Sequence, residues 1–254
     1  MRIKVLGCSG GVGGNSRTTS FLVDQDILID AGTGVGEMSL AEMSQIDHVF
    51  LTHSHLDHIA MLPLLVDSVG FLRLRPITIY ATEETLNILE QHIFNWKVWP
   101  DFSKIPDAEQ PYVRYCAVRD GETVELNGRR FTPIAVNHVV PAVGYCVDSG
   151  EASWVFSGDT TTNDSLWAVV NETGNLRYLV VETAFPNAGK ELAMRSKHYC
   201  PSLLADDLAK LKRTAELYIT HMKPGEIDLT MRELREDVAA YAPQMLQNGQ
   251  VFEF

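Results

Sequence analysis

No stretch of this chain approaches the roughly 20 uncharged apolar residues that a helix needs to span a bilayer, which excludes a helical membrane protein. Positive charge is also scarce: 21 Lys and Arg stand against 33 Asp and Glu in 254 residues, for a formal net charge of -12. Affinity for a long nucleic acid comes from neutralising many phosphates with a basic surface, so a binder of long polyanions is ruled out while capture of one small anion is not. Cysteine is limited to Cys8, Cys116, Cys146 and Cys200, none in a CxxC pair, and a chain of this size needs no disulfide staples. Reduced thiols in a cytoplasm are the expectation. Repeats, low-complexity tracts and a Pro/Gly/Ser linker are missing too, and 45% hydrophobic with 21% charged residues is an ordinary globular balance that excludes collagen, coiled coil and disorder. The opening Val5-Leu6-Gly7-Cys8 is lipobox-like, but the apolar run before Cys8 is too short for a signal peptide and reads as a first strand entering a glycine turn.

What is present is a mixed pattern. Short strands are expected near 2–6, 19–23, 27–30, 49–52 and 77–80, with helices over 57–71 and 82–94. From 113 to 157 the signal is mostly β, and Asn127-Gly128 between two apolar runs is a strong hairpin cue. Helices near 163–172, 202–213 and 230–241 then alternate with strands at 178–182 and 215–220, before a last strand at 250–254. Strands and helices spread through both halves favour one α/β domain over residues 1–254. The one irregular stretch, 95–112, carries three prolines together with Trp96, Trp99 and Phe102 and reads as an ordered excursion. Its aromatics suit stacking on a base or closing over a site, and equally core or dimer contacts.

Thr52-His53-Ser54-His55-Leu56-Asp57-His58 places three of the eight histidines and a carboxylate directly after a buried strand. Neutral imidazole nitrogen and carboxylate oxygen are the usual ligands of zinc and similar divalent ions. His53 and His55, two apart in extended chain, project to one side; Asp57 and His58 can turn to a neighbouring position as a helix begins. By contrast His48 and His92 read as surface or packing residues. Further candidates close other strands: His138 after 131–136, Asp159 after 154–157 and His221 after 217–220. Seven ligands suffice for two metals if Asp159 bridges them, with a hydroxide between the ions.

These residues, in this order and spacing, closely resemble the metallo-β-lactamase superfamily over nearly the whole chain. The resemblance implies an αββα four-layer sandwich with the metals at one edge. It implies His53, His55 and His138 on the first ion, Asp57, His58 and His221 on the second, and Asp159 on both. Where lactamases proper commonly have a zinc-binding cysteine this chain has Asp159, and where the flavodiiron branch commonly has Glu it has His55. The first departure sets the lactamases proper aside and the second favours zinc and hydrolysis, although the ligand types also suit manganese and iron.

Glu182-Thr183-Ala184 and His198, sixteen residues after Glu182, resemble the Glu and His pair of the superfamily's phosphodiesterase branch. That branch includes tRNA 3′-processing nucleases and class II cyclic-nucleotide phosphodiesterases. A His oriented by a carboxylate beside the metals can protonate a leaving alkoxide. A Glu at a strand end and a His before a Pro-led helix also suit a plain structural role. The segment His53 to Ile59 is similar to the class II phosphodiesterase signature, with Met61 where Gly or Ser is usual. Asn137-His138-Val139-Val140-Pro141 through Tyr145 and the glycine loop from Leu6 to Asn15 are similar to that group as well; the loop alone is either a turn or a phosphate cradle. Asn137 and Tyr145 are the candidate substrate contacts, Tyr145 being equally suited to strand packing. The resemblance thus implies hydrolysis of 3′,5′-cyclic nucleotides to nucleoside monophosphates by a dinuclear enzyme, a homodimer, with His198 as acid, Glu182 orienting it, and Asp57 orienting the hydroxide as well as binding metal. A thioester, lactone or other phosphoester hydrolase, or a di-iron oxygen-binding or redox protein, would use the same ligands.

Overall fold

Alternation of apolar side chains along short strands sorts this chain into layers. In β4 (His48–Phe50) and the residue after it, Val49 and Leu51 enter one core and Phe50 another; in β5 (Ile77–Ala81), Ile77, Ile79 and Ala81 oppose Tyr80. Successive side chains of a strand point to opposite faces, so each strand feeds two cores. The second half repeats the device in β10 (Ser153–Phe156), where Trp154 and Phe156 face inward and Val155 outward.

The computed structural model covers residues 1–254. Its first sheet adds β1 (Arg2–Gly7), β2 (Ser20–Val23), β3 (Ile27–Ile29), β6 (Val113–Ala117) and β14 (Val251–Glu253), in the order β14-β1-β2-β3-β4-β5-β6. Its second contains β7 (Val124–Leu126), β8 (Arg129–Ala135), β9 (Val143–Asp148), β11 (Leu176–Glu182), β12 (Glu216–Thr220) and β13 (Gln244–Met245), in the order β13-β12-β11-β10-β9-β8-β7. Helices α1 (Leu40–Met43), α2 (Leu56–Ile59), α3 (Leu62–Val69) and α4 (Glu83–Ile88) belong to the first half; α5 (Asp164–Glu172), α6 (Lys190–Ser196), α7 (Pro201–Leu208) and α8 (Ile227–Asp237) belong to the second. Three apolar clusters, of 22, 20 and 17 buried residues, fill the spaces between helices and first sheet, between the sheets, and between second sheet and helices. Three cores separate four layers, which is the αββα sandwich the resemblance implied.

Asn127 and Gly128 have φ of 52° and 79°, as a two-residue primed turn requires, and Leu126 pairs with Arg129 across them. The helix expected over 57–71 is instead two pieces. Ala31 takes the carbonyl of His58 and accepts from the amide of Met61, and Pro63 has no amide to continue the ladder. The helix expected over 82–94 continues past Ile88 as a π-type turn from Leu89 to Ile93, and that over 202–213 ends at Leu208. Helices α1 and α6 were not anticipated.

Segment 95–112 lies away from the strand ends that carry the histidines. Tyr112 accepts from the amide of Ile77, the first residue of β5, and Phe102 accepts from Val113; β5 runs parallel to β4, whose far end leads to His53. Phe102 is 4% exposed and Trp99, Ile105 and Tyr112 pack beside it in the first core, while Trp96 stays exposed. Trp99, Phe102 and Tyr112 are therefore packing residues, at the strand ends away from the site.

Candidate metal centre

The site is assembled from loops that leave neighbouring strands at one edge of the sandwich. β3 ends in Asp30, fully buried and in the left-handed region at φ 56°. Its carboxylate accepts from the amide and hydroxyl of Thr52, both at 2.8 Å, and from His58 Nδ1 at 2.7 Å. Because the Thr52 hydroxyl donates to Asp30, it accepts from His53 Nδ1, 3.0 Å away. His53 and His58 thus carry their protons on Nδ1 and present Nε2 to Asp159, at 3.6 and 3.3 Å.

The second sheet supplies the remainder. His138 Nδ1 donates to the Lys197 carbonyl at 3.0 Å, so its Nε2 faces His55 Nδ1 at 3.2 Å. His221 follows β12 at φ 64° and lies 3.3 Å from Asp159 through Nδ1 and 3.6 Å from Asp57 through Nε2. A non-glycine residue at positive φ is strained, and such strain collects at sites that the surrounding structure over-determines. Gly10 of the opening loop shows how tightly His221 is held, since a Cβ there would sit 2.3 Å from the His221 carbonyl oxygen. That glycine serves close packing. Likewise Gly158, at φ 59°, leaves no room for a Cβ beside the Val143 carbonyl and turns the chain so that Asp159 enters the cluster.

Ligand atoms of His53, His55, His138 and Asp159 all lie within 4.8 Å of one another, as do those of Asp57, His58, Asp159 and His221. His53 Nε2, His58 Nε2, Asp159 Oδ1 and both nitrogens of His221 are buried without a hydrogen-bond partner in the protein. Each such atom costs about 1–3 kcal/mol, so five would consume much of a typical net stability of about 5–15 kcal/mol. Lone pairs of nitrogen and carboxylate oxygen converging in this way fit divalent cations, whose bonds would satisfy them.

The electrostatics agree. Burial holds His53 well below the ordinary imidazole value, His138 at about 4 and His221 at about 3, so all three are neutral and competent to donate a lone pair. Burial would lower His58 also, but the carboxylates of Asp159 and Asp30 outweigh it and raise the group well above its usual value. Burial opposes ionisation of Asp159, yet the surrounding imidazoles, His221 first, keep it well below the carboxylate range. Without a cation these carboxylates favour a second proton on His58, and a divalent ion at its Nε2 would take that proton's place.

Glu182, at the end of β11, is fully buried; it accepts from His198 Nδ1 at 2.7 Å, from the Thr160 amide at 3.0 Å and from the Tyr199 amide at 3.3 Å. His198 is thereby fixed beside the candidate ligands, its ring stacked on His221 at 5.2 Å between centroids. Burial alone would depress it, but the Glu182 charge and hydrogen bond raise it above the usual imidazole value. Burial raises Glu182 itself, with His198 pulling it back. The pair keeps a proton next to Asp159.

The sequence reading of Tyr145 as a substrate contact is corrected: the ring is fully buried between the sheets and its hydroxyl donates to the Leu51 carbonyl at 3.0 Å, bracing the chain just before His53. Asn137 stands next to His138 but commits its amide nitrogen to the Thr162 carbonyl at 3.0 Å, so that donor braces a loop and does not face a substrate. Two residues that sequence reasoning passed over are prominent here. Asp30 follows a strand just as Asp159 does, a signal that could have found it; Lys197 meets His138 across 59 residues of sequence, a contact that leaves no local mark.

Comparison with known proteins bears on this geometry. The model of the family described as beta-lactamase superfamily domain matches residues 25–240. A probable 3′,5′-cyclic-nucleotide phosphodiesterase of Yersinia pestis is 26% identical over 205 residues, 71% of this chain and 58% of that protein. A ribonuclease Z of Haloarcula marismortui is 30% identical over 164 residues, 61% of this chain and 50% of that protein. The chain thus spans 58% of the length of the first relative and half of the second. Unliganded yeast PDE1 superposes with a TM-score of 0.83 at 18% identity, covering 100% of this chain and 99% of that one, which establishes a shared fold. With most of its length matched by the family model and its ligand-bearing loops at the expected strand ends, the chain belongs to the beta-lactamase superfamily.

Proposed function

We propose that this protein is a dinuclear metal-dependent phosphodiesterase that hydrolyses 3′,5′-cyclic nucleotides to nucleoside monophosphates. The observation that carries the reading is the Glu182–His198 pair, held within ligand distance of Asp159. Thioester or lactone hydrolysis has less need of a positioned proton donor, because those leaving groups are better than a ribose alkoxide.

His53, His55 and His138 would hold one divalent ion, Asp57, His58 and His221 the other, and Asp159 would serve both. Zinc fits this set, and manganese or iron also finds suitable ligands in it. Ions there supply Lewis acidity towards water and the phosphoryl oxygens. The protein's own groups do the rest. Asp57, partly exposed at the start of α2, orients the attacking water as well as binding. His198 carries a proton on the nitrogen opposite the Glu182 contact and delivers it to the departing ribose oxygen. Glu182 fixes the ring and stabilises the imidazolium until transfer.

A second reading, a ribonuclease acting on structured RNA, draws on the 30% identity to ribonuclease Z. The formal charge of -12 weighs against it, as does segment 95–112, which packs on the core instead of forming a basic arm. A reducing compartment such as the cytoplasm suits the four unpaired cysteines, and no helix is long and apolar enough to cross a membrane. The test is a hydrolysis panel of cyclic AMP, cyclic GMP, bis(p-nitrophenyl) phosphate, a thioester, a lactone and a precursor tRNA, with zinc, manganese and iron added in turn. Turnover of a cyclic nucleotide above all others is expected. A coloured, iron-loaded protein inert to the cyclic nucleotides and to bis(p-nitrophenyl) phosphate would overturn the reading in favour of a di-iron oxygen or redox protein.

A further inference from the structure

Helix α6 ends on Lys197, which sits in the left-handed region at φ 54°, ψ 54°. The helix closes by a backbone bond from the His198 amide to the Ala193 carbonyl at 2.9 Å. A left-handed residue after a helix is most often glycine, because a Cβ is strained there. A lysine in that place has a second use for its side chain. Here the use is visible: the ammonium Nζ donates to the His138 carbonyl at 3.0 Å, while the Lys197 carbonyl accepts from His138 Nδ1 at 3.0 Å. The two residues, 59 apart in sequence, hold each other by a reciprocal pair of bonds.

We infer that Lys197 is a positioning residue that sets the aim of His138 and couples it to His198. The inference rests on His138 being a metal ligand, but not on which ester is cleaved. Each half of the clasp has its own effect. The carbonyl bond fixes the His138 tautomer, leaving the Nε2 lone pair directed at His55 and the first ligand group. The ammonium bond clamps the backbone of the same histidine, so the 136–142 loop cannot swing away from α6. The next residue, His198, is locked to Glu182, so adjacent peptide units carry the clasp on a ligand and the proton donor. Displacement of one is transmitted to the other through a single Cα.

Substitution separates this role from ordinary scaffolding. Lys197→Gly removes Nζ while relieving the positive-φ strain, Lys197→Met removes the charge and keeps the stem, and Lys197→Arg keeps a donor. Purified proteins would be titrated with zinc, and separately with manganese, against a competing chelator, with melting temperature of the metal-free forms measured alongside. Groups that orient metal-binding histidines typically contribute about 10–100-fold in affinity. Retention of one of two ions is therefore expected to weaken about tenfold or more in both the Gly and Met variants, with substantial recovery in Arg. The metal-free Gly variant should melt no lower than wild type, since glycine is preferred at that φ. With a phosphodiester substrate kcat should fall while KM stays nearly constant. Wild-type zinc and manganese affinity in both Gly and Met variants would sink the inference and leave the phosphodiesterase reading standing; a wild-type chain that binds neither ion would sink both.

Discussion

The two candidate ligand groups on either side of Asp159 are made differently. His53, His55 and His138 offer imidazole alone, whereas on the other side Asp57 adds a second carboxylate to His58 and His221, and Asp30 stands behind His58 as a third. Burial is alike, with one partly exposed residue, His55 or Asp57, on each side. The difference is negative charge, which is concentrated on the Asp57 side. Low dielectric strengthens attraction between a cation and buried carboxylates, so the Asp57 side should hold its ion more tightly and the His138 side should exchange more readily.

The largest effect expected is from the residue that joins them. Asp159→Asn removes the shared charge and should strip both ions, with loss of at least about 10³-fold in rate if metal supplies several kcal/mol to the transition state. Elemental analysis beside a rate assay checks this; retention of two ions would mean that Asp159 does not bridge. Next is His198→Ala, which should leave both ions bound and cost about 10²–10⁴-fold on a cyclic nucleotide. On bis(p-nitrophenyl) phosphate, whose leaving group needs no proton, the loss should be much smaller. Equal losses on the two substrates would remove His198 from the acid role.

A finer test of the asymmetry is Asp30→Asn, which withdraws charge directly behind His58 and reaches His53 only through the Thr52 hydroxyl. A stepwise metal titration should show one of two phases weakened by about 10–100-fold and the other clearly less. If both phases moved equally, the two groups would not differ in their support and the comparison would fail. The smallest effect concerns pH. The acid form of His198 exists below its folded pKa, which Glu182 raises after opposing the effect of burial. Glu182→Gln removes that support, so the alkaline limb of kcat should move to lower pH, read from a profile on a cyclic nucleotide. An unmoved limb would assign it to some other group.

How much of this could be read from the chain alone differs between elements for physical reasons. Strand β10, the Asn127-Gly128 turn and the His53–His58 cluster announce themselves because a short apolar run, positive-φ residues and closely spaced imidazoles are local signals. The break between α2 and α3 does not, since it depends on Ala31, distant in sequence, capturing backbone groups at both sides of the gap. Helix α6 is short, with only Ala193 buried, so its sequence has little apolar periodicity to read. Tyr145 shows the limit from the other direction: its place near the third histidine suggested a substrate contact, whereas period-two alternation along β9 turns it into the inter-sheet core. Local spacing picks out the side chains that converge, but the groups that aim them lie on other strands.

The candidate ligands are divided between the two sheets: His53, His55, Asp57 and His58 follow β4, while His138, Asp159 and His221 follow β8, β10 and β12. An ion bound to both groups is a rivet through the seam of the sandwich, and it can be set only after the halves have stacked. Free metal at about a thousand times its dissociation constant would add about 4 kcal/mol to the folded state. Melting temperature should climb with metal supply, and a cell short of the ion would lose the protein's lifetime along with its activity.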